Sequence, residues 1–120
     1  IGERATQQAL HYARDRVQSA RAGSLDKNPV AIIEHPDVRR MLLRMKALTE
    51  GVRALLYYCA GQVDRSTLGQ QEAGKRAEVL VPLVKAWGTD TGVEVAGIGI
   101  QVHGGMGFIE ETGAAQYARD

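Results

Sequence analysis

The sequence predicts an all-α protein, an up-down bundle of three to four long helices. Apolar residues recur three or four positions apart over long stretches. β-Branched and aromatic residues do not alternate with polar ones for long. Gly23, Pro29, Pro36, Gly69 and Gly104 fall where such stretches begin and end.

Each element follows in chain order. From about Gly2 to Ala20, Ala5, Ala9, Tyr12, Ala13, Arg16 and Val17 fall near one helical face, and the alanines would let a second helix come close. Arg21 to Ala31 reads as a loop, since Gly23, Ser24, Asn28 and Pro29 break any period. Pro36 then suits a first helical turn, and Asp37 favours the positive end of the helix dipole. Val38, Met41, Leu42, Met45, Leu48, Val52, Leu55, Leu56, Cys59 and Val63 make a stripe that predicts a long helix from Pro36 to about Asp64. A third helical region starts near Gln70 or Gln71. Pro82 either bends it or marks its true start, and Gly88 and Gly92 weaken it. It is expected to run to His103 as one long kinked helix or two nearly collinear ones, with Gly104 as the stop. Glu111 to Asp120 reads as the start of one more helix.

Composition excludes several classes. The chain has 120 residues, 44% hydrophobic and 24% charged, which suits one folded domain. Fifteen basic and 14 acidic residues leave a net charge of +1, so bulk charge does not point to nucleic acid or to a membrane surface. A single cysteine, Cys59, excludes an internal disulfide and a cysteine-rich zinc site. No run is long and apolar enough for a membrane span, and the first residues carry no signal-peptide core, so a cytoplasmic protein is expected.

The chemistry-bearing residues crowd one stretch, Gly99 to Asp120. Gly104, Gly105 and Gly107 could let backbone approach a ligand, or could simply cap a helix and turn. Gln101 can donate and accept. His103 could act as a base or a metal ligand, or serve only the helix dipole. Glu110 and Glu111 are neighbours, and adjacent helical residues point apart, so a charged first turn is favoured over an acid–base pair. Arg14, Arg16 and Arg21 could bind phosphates or form a solvated helix end. Cys59 lies on an apolar stripe and reads as core, and His11 and His35 lack metal-ligand spacing.

In order, "ERATQQALHYARDRVQ", "EHPDVRRMLLRMKA" and "GIQVHGGMGFIEETGAAQYARD" resemble the C-terminal helical domain of the flavin-dependent acyl-CoA dehydrogenases. The wording is most similar to the larger bacterial members, including those acting on 3-methylmercaptopropionyl-CoA. The resemblance implies that residues 1–120 are a C-terminal bundle, a fragment of a three-domain flavoenzyme. It implies α,β-dehydrogenation of an acyl-CoA thioester, in which a glutamate removes the α-proton and the β-hydrogen leaves as hydride to FAD. Arg16 matches the family arginine that pairs with the FAD pyrophosphate. Gln101, Gly104 and Gly105 match the segment that cradles the adenosine end. No catalytic residue is expected within the chain, and the fragment alone is expected to be inactive, with FAD not retained. A homo-oligomer and an electron-transfer flavoprotein partner are implied as well.

Three positions depart from the family pattern. Ser19 and Ala20 stand where a Phe-Gly pair usually contacts the cofactor, and Pro36 stands where a glutamine often reaches it. Two alternatives remain open at the level of sequence. One is an acyl-CoA oxidase or related flavoenzyme domain, and the other is a stand-alone helical interaction module without cofactor.

Overall fold

A computed structural model describes all of residues 1–120. Three helices form the bundle: α1 (Gly2–Asp15), α2 (Pro36–Thr67) and α3 (Gln71–His103). A two-stranded ribbon, β1 (Val17–Ala20) and β2 (Pro29–Ala31), joins α1 to α2 through a 3-10 turn, Ile32–Glu34. After α3 come three single turns: α4 (Gly105–Phe108), a 3-10 turn at Glu110–Thr112, and α5 (Gln116–Arg119).

The helices alternate in direction. Thr6 Oγ1 lies 3.3 Å from Thr49 Oγ1, and Glu3 pairs with Arg53, so α1 and α2 run antiparallel. Leu68–Gln70 turns the chain into α3, antiparallel to α2 and parallel to α1. The core sits where all three meet. Ala5, Ala9 and Ala13 of α1 face Leu42 and Met45 of α2 and Val95 and Val102 of α3, with Ile32 beneath. The alanines do what their size allows. A Cβ placed on Gly99 would sit 3.8 Å from the Ala5 carbonyl oxygen, so α1 and α3 approach backbone to backbone.

Elsewhere the bundle is thin. At 1.5 Å per residue, α1 spans about 21 Å against about 50 Å for α3. Beyond Gly2, which rests near Thr49 and Val95, α2 and α3 have only each other. Tyr57, Tyr58, Val79, Leu83 and Trp87 are exposed there. Hence only 19 of 120 residues are buried, in a molecule 64 × 31 × 17 Å across.

Several expectations change. The first helix stops at Asp15 rather than running to Ala20, because Arg16 already has extended backbone (φ −74°, ψ 118°) and Val17 pairs with Ala31. Arg16 and Val17 therefore leave the apolar face and are exposed. The Arg21–Ala31 loop keeps its turn but contributes a strand. The ribbon is irregular between Val17 and Ala20, where Ser19 has a φ of 61°. In α2, Leu56 and Val63 lie on the predicted stripe but are exposed, since no third helix reaches them. Pro82 does not break α3. Pro82 and Glu78 face solvent, where water can take up the Glu78 carbonyl that loses its N–H partner. Gly104 ends α3 as expected, at φ 59°. The last predicted helix reduces to isolated turns, with Gly113 at φ 72° between them.

The pair tying α1 to α2 gives a pH prediction. The Glu3 carboxyl lies below its ordinary 4.5, first because Gln7 donates to it at 2.7 Å and then because Arg53 sits beside it. A depressed carboxylate stabilises the fold fully above the unfolded value, and that contribution fades as pH falls through the folded one. Glu3→Gln should therefore lower stability near neutrality, by less than about 1 kcal/mol because both partners stay in water. The gap between wild type and variant should close in acid; urea midpoints at neutral and acidic pH test this, and a gap that widens in acid would contradict it.

Candidate functional site

Arg16, Gln101 and Gly104 line one pocket of about 230 Å³. Tyr12, Ser19, His35 and His103 also contribute to its wall. The pocket lies where the end of α1, the ribbon, the start of α2 and the end of α3 converge. This volume is below the roughly 300–1,000 Å³ of a complete small-molecule site.

The local sequence explains each placement. Arg16 is thrown out of α1 by the turn into β1, and it has neither an ion-pair nor a side-chain hydrogen-bond partner. Its guanidinium is thus free for an anion. Gln101, in the last turn of α3, is exposed. Gly104 and Gly105 are exposed, and a Cβ on either would meet nothing within 4 Å. At Gly104 the positive φ itself favours glycine. Gly105 adjoins the pocket without lining it.

Gly107 differs. A Cβ there would lie 2.4 Å from the Ile100 carbonyl oxygen and 3.0 Å from His103 Cβ. Glycine at 107 thus lets α4 press onto the end of α3 and fixes the Gly104–Gly105 backbone at the pocket rim.

The histidines were the least legible part. His103 is 4% exposed, stacked on Tyr12 with ring centroids 4.4 Å apart, and its Nδ1 lies 2.7 Å from the Gly99 carbonyl oxygen. His35 uses Nε2 on the Gln18 carbonyl at 2.7 Å, which ties the ribbon to the start of α2. No group of three or more side chains is placed to hold a metal ion. Arg21 pairs with Glu34 rather than joining Arg16. Glu110 pairs with Arg119 at 3.0 Å, so Glu110 and Glu111 form no acid–base dyad. Tyr12, on the same helical face as the alanines, is half-buried and faces the pocket. Its place beside His103 could have been found only by knowing that α1 and α3 run parallel.

A larger groove, about 420 Å³, lies between α1 and α2. Two of its cations, Arg53 and Lys46, already pair with Glu3 and Glu50. Its third, Arg39, is unpaired but has neither an exposed helix-end glycine nor a histidine beside it in the groove. The smaller pocket, where Arg16, Gln101 and Gly104 meet, is the stronger candidate.

Comparison with known proteins bears on what the pocket serves. The family described as "Acyl-CoA dehydrogenase, C-terminal domain" matches residues 1–120. The chain belongs to the acyl-CoA dehydrogenase family. A 3-methylmercaptopropionyl-CoA dehydrogenase of Ruegeria pomeroyi is 57% identical over 124 residues, covering 100% of this chain and 21% of the relative. A butyryl-CoA dehydrogenase of Syntrophomonas wolfei is 43% identical over 117 residues, covering 93% and 19%. Among solved structures, butyryl-CoA dehydrogenase from Megasphaera elsdenii superposes with a TM-score of 0.75 at 25% identity, over 98% of this chain and 26% of that one. This acyl-CoA dehydrogenase domain thus spans about a fifth of the length of the curated relatives it matches. None of its helices is long and apolar enough to cross a membrane.

Proposed function

We propose that this chain is the C-terminal bundle of an FAD-dependent acyl-CoA dehydrogenase and forms the wall against which the adenosine-pyrophosphate half of FAD lies. The observation that carries the reading is the convergence of Arg16, Gln101 and Gly104, distant in sequence, on one pocket. The residues fit that group. A free guanidinium faces a pyrophosphate with two-pronged donation. The Gln101 amide can both donate to and accept from a nucleoside. At Gly104 and Gly105 the open space above the backbone admits a ligand where a side chain would stand.

Bound FAD supplies the hydride acceptor for α,β-dehydrogenation of an acyl-CoA thioester. The chain's own part is to bind and orient; no residue here is assigned the proton-abstracting role, and the isolated chain is expected to be inactive. The 57% identity to a 3-methylmercaptopropionyl-CoA dehydrogenase makes that thioester the first substrate to try. An electron-transfer flavoprotein as electron acceptor and a cytoplasmic location belong to the same reading. So does a homo-oligomer, supported by the exposed apolar residues on the far half of α2 and α3.

In the full-length protein, Arg16→Ala should weaken FAD binding about 10- to 100-fold, the worth of hydrogen bonds to a charged group. Flavin-to-protein absorbance after gel filtration, followed by FAD titration of the stripped protein, measures it. Unchanged flavin content would remove Arg16 from the site.

A further inference from the structure

We propose that His103 is a further cofactor-contacting residue, whose Nε2 accepts a hydrogen bond from the adenosine half of FAD. The inference rests on reading this pocket as the adenosine side of the cofactor site.

The geometry fixes the tautomer. The Gly99 carbonyl oxygen, 2.7 Å from Nδ1, can only accept, so Nδ1 carries the proton. In the neutral ring Nε2 then holds a lone pair. The ring cannot easily turn, because Tyr12 covers its face at 4.4 Å and the Gly99 carbonyl holds its edge. Within the chain Nε2 has no hydrogen-bond partner, although the residue is only 4% exposed. The sealed side-chain atoms without a partner are Gln8 Oε1 and Gln62 Oε1; His103 Nε2 is instead open to the pocket that the residue lines, where a ligand donor can take the place of water.

The neighbouring groups make the acceptor useful. Arg16 is a donor only, suited to phosphate oxygens and unable to take a proton from a ligand. His35, the other imidazole of the pocket, donates from Nε2 to the Gln18 carbonyl, which leaves its lone pair on Nδ1 rather than Nε2. Adenosine brings both kinds of group: ring nitrogens that accept, and an amine and ribose hydroxyls that donate. A lone pair of fixed direction at Nε2 meets one of those donors, whereas a phosphate or a flavin mononucleotide offers nothing equivalent at this end.

Flavin-fluorescence titrations of the stripped full-length protein with FAD and with FMN test the assignment. His103→Asn keeps a donor for the Gly99 carbonyl and loses the acceptor. It should bind FAD about tenfold more weakly, one hydrogen bond's worth, and bind FMN as wild type does. His103→Gln puts an amide oxygen near the Nε2 position and should recover most of the FAD affinity. Equal FAD affinity in wild type and His103→Asn would overturn the proposal and leave the Arg16 reading standing. Parallel losses for FAD and FMN would also overturn it, because His103 would then be only structural. Thermal melts of the flavin-free variants show whether each has folded. If His103→Asn has not, a folded His103→Gln that loses FAD but not FMN overturns the proposal, and one that retains both supports it. A wild type that does not prefer FAD to FMN would defeat the adenosine reading of the whole pocket.

Discussion

Met45→Ala is expected to lower the unfolding free energy by about 2–5 kcal/mol. Met45 is fully buried where the three helices meet, with its Cε against Gly99. Its cluster holds Ala5, Ala9, Ala13, Leu42, Val95 and Val102, and α1 and α3 already approach backbone to backbone at Gly99. Little collapse is possible, so the loss should fall in the upper part of that range. Urea unfolding followed by far-ultraviolet circular dichroism measures it. A loss below about 1 kcal/mol would show that α1 and α3 slide together, and that the core is looser than its contacts suggest.

Gly107→Ala comes next in size and reaches the site as well as the fold. Its new methyl would meet the Ile100 carbonyl, which is backbone and cannot swing aside. Relief requires lifting α4 from the end of α3, at a cost of about 1–3 kcal/mol or more. Because His103 Cβ is the second atom in the way, the same movement shifts the ring and the Gly104–Gly105 rim. The full-length variant should therefore lose both thermal stability and FAD affinity. Gly105→Ala is the control for the first effect, since a methyl there meets nothing within 4 Å and should leave the melting temperature unchanged. If Gly107→Ala melts like wild type, the close approach at Ile100 is not a feature of the folded protein.

The sequence showed most where one periodic pattern governed many residues. The α2 stripe and the glycine stop after His103 were legible because helix period and capping are local properties. The ribbon was not legible. Val17–Ala20 and Pro29–Ala31 are short, barely buried and without alternation, and their pairing is a tertiary fact. That omission also carried the first helix, and with it Arg16, past Asp15. Arg16, Gln101 and the glycines were singled out by motif resemblance, while their meeting in one pocket required the parallel packing of α1 on α3. His103 was ambiguous for the same reason, because a histidine at a helix end shows nothing of the Tyr12 ring against it.

The uneven thickness of the bundle governs how its unfolding can be watched. Stability is graded along the long axis, because the half of α2 and α3 beyond Gly2 can open without disturbing the contacts of α1. The chain's single tryptophan, Trp87, lies against Gly51 at the inner end of the two-helix half, level with the start of α1. Its fluorescence therefore reports on the two-helix half. The core around Met45 and the pocket around His103 belong to the other half and call for a probe of their own, so two optical signals from one sample need not share a midpoint.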